Sequence, residues 1–183
     1  MKDQLVSALN VAAAKVHAVS ATDDEIVLAA DTLVVDGDEV LGKPVDSEAA
    51  RAMLRRLRGQ AHQVLTGVAL RRGPVAGADC VAWGGVVSTR VIMRDYADAD
   101  IDAYVARGEP FDKAGGYAIQ DEVFRPVAAV EGCYLNVVGL PLCAVTAGLR
   151  ALGVVETAAP SAGPPPCALC RAGAPLVGVR SAS

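Results

Sequence analysis

Asp31 follows the apolar run Val27-Leu28-Ala29-Ala30. A carboxylate at the end of a buried strand costs on the order of several kcal/mol unless a metal ion or a neighbouring cation compensates it. Lys43 stands in Gly42-Lys43-Pro44, just after a hairpin that returns it toward the end of the Asp31 strand. An acid and a base delivered to one edge can hold a metal and a phosphate together. They can equally form a structural ion pair, and position alone leaves the two readings level. Lys113 lies in Asp112-Lys113-Ala114-Gly115-Gly116-Tyr117. Glycine pairs let backbone approach a ligand closely, and lysine is a point charge for phosphate. An exposed lysine in an ordinary glycine-rich turn is the plainer reading. Gln120 follows Tyr117 by three residues and can hydrogen-bond a base or orient water, but alone it is no evidence. Neither the Walker A pattern nor the dinucleotide fingerprint is present.

These residues need elements to position them. Leu5, Leu9, Ala12, Ala13, Val16 and Val19 share one face of a helix over residues 3–19. After a polar break at 21–25, residues 26–30 form a continuous apolar run suited to a buried strand, extended through 32–35. Asp36-Gly37-Asp38 is a turn signal, with 39–41 pairing back. Asp46 or Ser47 caps a helix that runs to Leu57, with Ala50, Met53, Leu54 and Leu57 as its buried stripe and Gly59 ending it. Strands are predicted at 64–70 and 80–93, separated by a turn at 73–77, with Gly84-Gly85 as a bulge in the second. Asp98 caps a short helix holding Ile101, Tyr104 and Val105 and closed by Gly108; short strands follow near 117–119 and 127–130. A last helix runs from Pro141 to Gly153. From Glu156 onward Ala, Pro, Gly and Ser dominate, which predicts a disordered tail over 156–183 behind a single mixed α/β domain.

The chain has 183 residues, enough for a domain with its own core, and a formal net charge of -4. That charge argues against non-specific binding to nucleic acid or to an anionic membrane. Hydrophobic residues make up 52% but aromatics only 4%, so Val, Leu, Ile and Ala must build the core. No apolar run is long enough to span a bilayer, and Lys15 and His17 interrupt the N-terminal apolar stretch, unlike a signal peptide. Five cysteines are an odd count; Cys80, Cys133 and Cys143 sit in apolar segments as reduced core thiols do, which points to a cytoplasmic location.

Six segments, read together, resemble the Maf family of nucleoside triphosphate pyrophosphatases. They are Leu28-Ala29-Ala30-Asp31-Thr32; Leu41-Gly42-Lys43-Pro44; His62-Gln63-Val64-Leu65-Thr66-Gly67-Val68; Gly108-Glu109-Pro110 with residues 112–117; Ile119-Gln120; and Asn136-Val137-Val138-Gly139-Leu140-Pro141-Leu142. They occur in the family's order, and the resemblance covers about residues 5–153. It implies a mixed-sheet α/β fold related to the inosine-triphosphate pyrophosphatases, elongated and two-lobed with a nucleotide cleft. It implies hydrolysis of a nucleoside triphosphate to the monophosphate and pyrophosphate, a divalent Mg or Mn ion, and a homodimer. By resemblance Asp31 matches the family's metal-binding or water-activating aspartate. Lys43 and Lys113 match lysines of the phosphate cleft, Gln120 a glutamine of the site, and Lys15 a cleft lysine on the first helix. The place of Lys15 beside Ala12 and Val16 also fits a solvated helix face. Residues 113–120 resemble the branch that favours dTTP and UTP.

Family members open with a strand ending in a Ser-x-Ser-Pro-Arg-Arg loop, followed by a further acidic residue, and no Ser-Pro-Arg-Arg run occurs in this sequence. A mis-set start codon or a truncated gene is expected ahead of a genuine short variant. A catalytically impaired nucleotide-binding or cell-division regulatory protein on the same scaffold is the alternative function. Cys167-Ala168-Leu169-Cys170 lacks the second ligand pair of a structural zinc site, so an unstructured tail or reversible disulfide is expected there.

Overall fold

The computed structural model describes residues 2–74 and 82–154. Cys80, most of the predicted 73–77 turn, the tail over 156–183, and Cys167 and Cys170 lie outside the described residues. The elements run α1 (Lys2–His17), β1 (Ile26–Asp36), β2 (Glu39–Leu41), α2 (Ser47–Leu57), β3 (Ala61–Arg72), β4 (Trp83–Met93), α3 (Asp98–Ala106), a 3-10 turn (Ala114–Gly116), β5 (Val127–Glu131), α4 (Tyr134–Val138) and α5 (Leu142–Ala151). The strands form one α/β sheet in the order β2-β1-β3-β4-β5. Every pairing among the described residues is antiparallel, so the mixed sheet implied by the resemblance is corrected.

The period-2 alternation of β1 assigns its side chains to two layers. Val27 and Ala29 pack with Ala12 and Val16 of α1, and Leu33 and Val35 with Leu5 and Leu9. Ile26 and Ala30 face the cluster built on Ala144 of α5 and Cys133. The largest cluster joins Leu54 and Leu57 of α2, Ile101 and Tyr104 of α3, and Val34, Val64 and Val91 of the sheet. One glycine lets α1 lie this close: a Cβ at Gly67 of β3 would stand 2.4 Å from the Ala8 carbonyl oxygen. Gly67 is the β3 partner of Asp31.

Several local expectations change. Residues 26–30 are not a fully buried strand; Leu28 is exposed, because β2 pairs only with residues 34–36 and the rest of β1 runs along the sheet edge. Gly84 and Gly85 form no bulge but pair in register with Ala69 and Val68; the irregularity falls at Ile92/Met93 against β5. Gly84 instead makes room for Leu9, whose Cδ1 would be 3.0 Å from a Cβ there. Residues 117–119 are not a strand, and α4 goes unpredicted since five residues are too few to show a helical period. The N-cap of α3 is Ala97, whose N–H donates to Asp100, while Asp98 pairs with Arg55 and Arg58. Asp46 does cap α2, accepting from the Ala49 N–H at 2.8 Å. Arg56 of α2 reaches back to Asp36 at 2.6 Å and to Glu39, fixing the hairpin that leads into Lys43.

Candidate active site

The five residues picked out in the sequence fall into two groups. Lys15 and Asp31 form the first: Lys15 Nζ donates to Asp31 Oδ1 at 2.7 Å and to the Ala30 carbonyl at 3.1 Å. Asp31 thus has a lysine partner, but it is Lys15 of α1, not Lys43 of the hairpin. The odd-numbered face of β1 carries Asp31 toward α1, and the Asp31 side chain is 20% exposed.

Lys43, Lys113 and Gln120 form the second group. They line a cavity of about 320 Å³ together with Asp112 and the apolar walls of Val34, Val64, Tyr117 and Val137. Thr32, on the even face of β1, also lines it, whereas Asp31 does not. The hairpin register pairs Val34 with Leu41, so the chain does return Lys43 alongside the Thr32 region. What the hairpin cannot do is bring Asp31 to the same side, because neighbouring strand residues point to opposite faces.

Three contacts hold the loop that carries Lys113 and Gln120. The Gly115 N–H donates to the Gly42 carbonyl at 3.1 Å, joining it to the residue before Lys43. The Ala118 N–H donates to Tyr104 Oη at 3.1 Å, and Tyr117 Oη lies 2.7 Å from His62 Nε2. Gly115 has φ +74°, and a Cβ there would press within 3.0 Å of Val34 Cγ1, so the turn requires glycine. Lys113 Nζ is held by the Glu109 carbonyl at 2.8 Å and by Asp112 Oδ1 at 2.6 Å. The hydrogen bond and charge of Lys113 hold the Asp112 carboxyl below its usual range, with a smaller contribution from Lys43. Lys43 is exposed and has no ion pair among the described residues, leaving its ammonium available to an anion.

Behind the cavity lies a polar network that the sequence reading passed over. Thr32 Oγ1 is 2.9 Å from Thr66 Oγ1, Thr66 Oγ1 donates to the Asn136 carbonyl at 3.0 Å, and Asn136 Nδ2 donates to the Val64 carbonyl and to Thr89 Oγ1. Thr66, Thr89 and Asn136 are buried. Thr66 and Asn136 stood in segments already noted, but nothing in a sequence tells a buried hydrogen-bonded threonine from one packed as a valine. His62 is buried too, and loss of solvation pushes its imidazole down to about 4 against a small opposing effect of Asp36.

No group of three His, Cys, Asp or Glu side chains is placed to hold a metal among the described residues. Asp31 offers a single hard oxygen donor, with Oδ2 outside the Lys15 contact. That suits an ion which keeps water and takes its remaining oxygens from a phosphate, as Mg²⁺ does.

The Maf-like protein family matches residues 2–152. The chain is 51% identical over 145 residues to the dTTP/UTP pyrophosphatase of Thermomicrobium roseum, covering 79% of this chain and 64% of that protein. It is 53% identical over 145 residues to the dTTP/UTP pyrophosphatase of Anaeromyxobacter dehalogenans (strain 2CP-C), covering 79% of this chain and 72% of that protein. For the dTTP/UTP pyrophosphatase of Geobacter sulfurreducens the identity is 45% over 134 residues, 73% of this chain and 68% of that one. The matched region therefore spans somewhat under two thirds of the Thermomicrobium relative. With a match over nearly all of the described residues, the chain belongs to the Maf family.

Proposed function

We propose that this chain hydrolyses a pyrimidine nucleoside triphosphate, dTTP or UTP, to the monophosphate and pyrophosphate. The observation that carries the reading is the cavity itself, in which Lys43, Lys113 and Gln120 meet apolar walls beside Thr32. Apolar surface suits a base, and two ammonium groups suit a triphosphate. The relatives named as dTTP/UTP pyrophosphatases support the substrate class.

In this reaction a water oxygen bonds to the α-phosphorus, the bond to the α,β-bridging oxygen breaks, and its electron pair leaves with pyrophosphate. Such chemistry asks the protein mainly for positioning and charge neutralisation. Lys43 and Lys113 offset the charge that accumulates on the leaving pyrophosphate, and Lys15 orients the Asp31 carboxylate. Asp31 stands on the α1 face of β1, outside the cavity lining, so its proposed part, accepting the proton of the attacking water through the oxygen Lys15 does not hold, requires the α-phosphate to reach the edge of β1. Asp31 is also the residue that would hold a divalent Mg or Mn ion, which when bound polarises a phosphate oxygen. No helix among the described residues is long and apolar enough to cross a membrane. We read the protein as cytoplasmic, with no nucleic-acid partner, and as a homodimer.

The test is pyrophosphate release from dTTP and UTP in Mg²⁺ or Mn²⁺, with Asp31→Ala as the control. Release that Asp31→Ala abolishes supports the assignment; full activity in that variant removes Asp31 from the mechanism.

A further inference from the structure

We propose that Thr66, buried and not among the residues lining the cavity, sets the base preference of the cavity by fixing the direction of one proton. This rests on reading the cavity as the nucleotide site. Thr66 Oγ1 lies 3.0 Å from the Asn136 carbonyl oxygen and 2.9 Å from Thr32 Oγ1. A carbonyl oxygen only accepts, so the single Thr66 proton is committed to Asn136. Thr32 must then donate its own proton to Thr66. Thr32 is a residue of the cavity lining, and in this proposal what its hydroxyl offers a ligand there is an oxygen with lone pairs and no proton.

Asn136 cannot turn away to release this order. It is fully buried, its side-chain Nδ2 donates to the Val64 carbonyl at 2.9 Å and to Thr89 Oγ1 at 3.0 Å while its Oδ1 has no partner among the described residues, and its backbone carbonyl also accepts from the Gly139 N–H at 3.1 Å. Gly139, with φ +117°, lies close by: a Cβ there would stand in ordinary contact with Thr32 Oγ1, at 3.5 Å.

An acceptor-only oxygen in a part-buried wall selects a ligand that brings a donor. The imide N3–H of uracil or thymine is such a donor. Cytosine carries a lone pair at N3 and would set two acceptors against each other. Leaving a buried polar group unpaired in this way corresponds to about 10- to 100-fold in affinity. Thr66 is therefore a positioning residue for base selection, acting through Thr32.

The experiment measures binding of the non-hydrolysable α,β-methylene analogues of UTP and CTP by calorimetry in Mg²⁺. The parent chain is compared with Thr66→Val, which keeps the volume and removes the proton, and Thr66→Ser, which keeps both hydroxyl functions. The parent is expected to favour the uridine analogue at least about tenfold. In Thr66→Val the Thr32 proton is free to turn into the cavity, and the ratio falls to within about threefold, while Thr66→Ser retains the parental ratio. Should Thr66→Val not fold, Thr66→Ala removes the same proton and carries the same expectation. An unchanged ratio in the hydroxyl-less variant overturns the proposal, as does a parent chain with no uridine preference. Because binding is read, a chain that binds the uridine analogue selectively but hydrolyses nothing overturns the proposed reaction and leaves the role of Thr66 standing.

Discussion

Lys15 Nζ bridges Asp31 Oδ1 and the Ala30 carbonyl across the open edge of β1, so the carboxylate of the candidate site is oriented from α1 and not from the hairpin. The lysine side chain is 51% exposed. A pair this wet contributes about 0–1 kcal/mol to folding. Its value lies in aiming one carboxylate oxygen. Lys15→Ala is expected to leave the melting temperature nearly unchanged while lowering kcat/KM about a hundredfold, the scale of losing one preorganised charged group. Steady-state kinetics beside thermal denaturation check this. A large fall in melting temperature with normal kinetics of the remaining folded protein would make the pair structural.

The charge at the cavity is adjustable through Asp112. Its carboxylate, 77% exposed, sits 2.6 Å from Lys113 Nζ and competes with an incoming phosphate for that ammonium. Asp112→Asn removes the competing charge while Lys113 keeps the Glu109 carbonyl. KM for the triphosphate is expected to fall about two- to fivefold at low salt, and the gain to shrink toward 0.5 M salt, where exposed charges are screened beyond a few ångströms. A KM that rises instead would show Asp112 to be needed for aiming Lys113.

The fold was legible where one residue type answers one local demand. Asp46 before an amphipathic stripe announced α2 and its cap, and Asp36-Gly37-Asp38 announced the hairpin. The grouping of site residues was less so. Apolar letters at 27–30 do not reveal that β2 is only three residues long, and so do not reveal an edge. The period of a strand was readable, yet only α1 lying on the odd face shows that Asp31 meets Lys15 while Thr32 meets the cavity. The Thr32–Thr66–Asn136 chain joins residues 34 and 70 positions apart, beyond any local pattern.

His62 makes stability depend on pH. Its folded pKa is about 4, against an ordinary 6.5, because burial disfavours the charged ring. The unfolded chain therefore binds more protons between those values, and stability rises with pH across the window of about 4 to 6.5. Acidification through it costs about 3 kcal/mol from this residue. The carboxylates with lowered values, Glu25, Asp98, Asp112 and Asp121, add their losses only as the pH falls to and below the ordinary carboxylate range. Urea denaturation at pH 7, 6 and 5 is expected to show falling stability, with a flatter profile in His62→Gln. An equally steep profile in that variant would assign the effect elsewhere. Since His62 also holds Tyr117 Oη, the variant is expected to loosen the Lys113–Gln120 loop and raise KM.

Arg71 tests whether a buried cation is there for stability. It is fully buried, and among the described residues its guanidinium reaches only the Val19 carbonyl at 2.6 Å and the Val16 carbonyl at 3.4 Å, with Nε and Nη1 unpartnered there. Those carbonyls lie at the end of α1, where a cation is favoured by the helix dipole at up to about 2 kcal/mol. Burying an ion without a carboxylate costs several kcal/mol by order of magnitude, so the balance should not favour the arginine. Arg71→Met, which fills much of the same space, is expected to be neutral or stabilising by about 1 kcal/mol in urea denaturation. Arg71→Ala, which opens a cavity, is expected to cost about 2–4 kcal/mol. What Arg71→Met should lose is the grip on the last turn of α1, which holds Lys15 beside Val16. Amide exchange is expected to quicken at residues 15–19, and kcat/KM to fall in the direction of Lys15→Ala. If Arg71→Met is instead as destabilising as Arg71→Ala, the two carbonyl contacts are worth more than the desolvation they demand, and Arg71 is a structural anchor of α1.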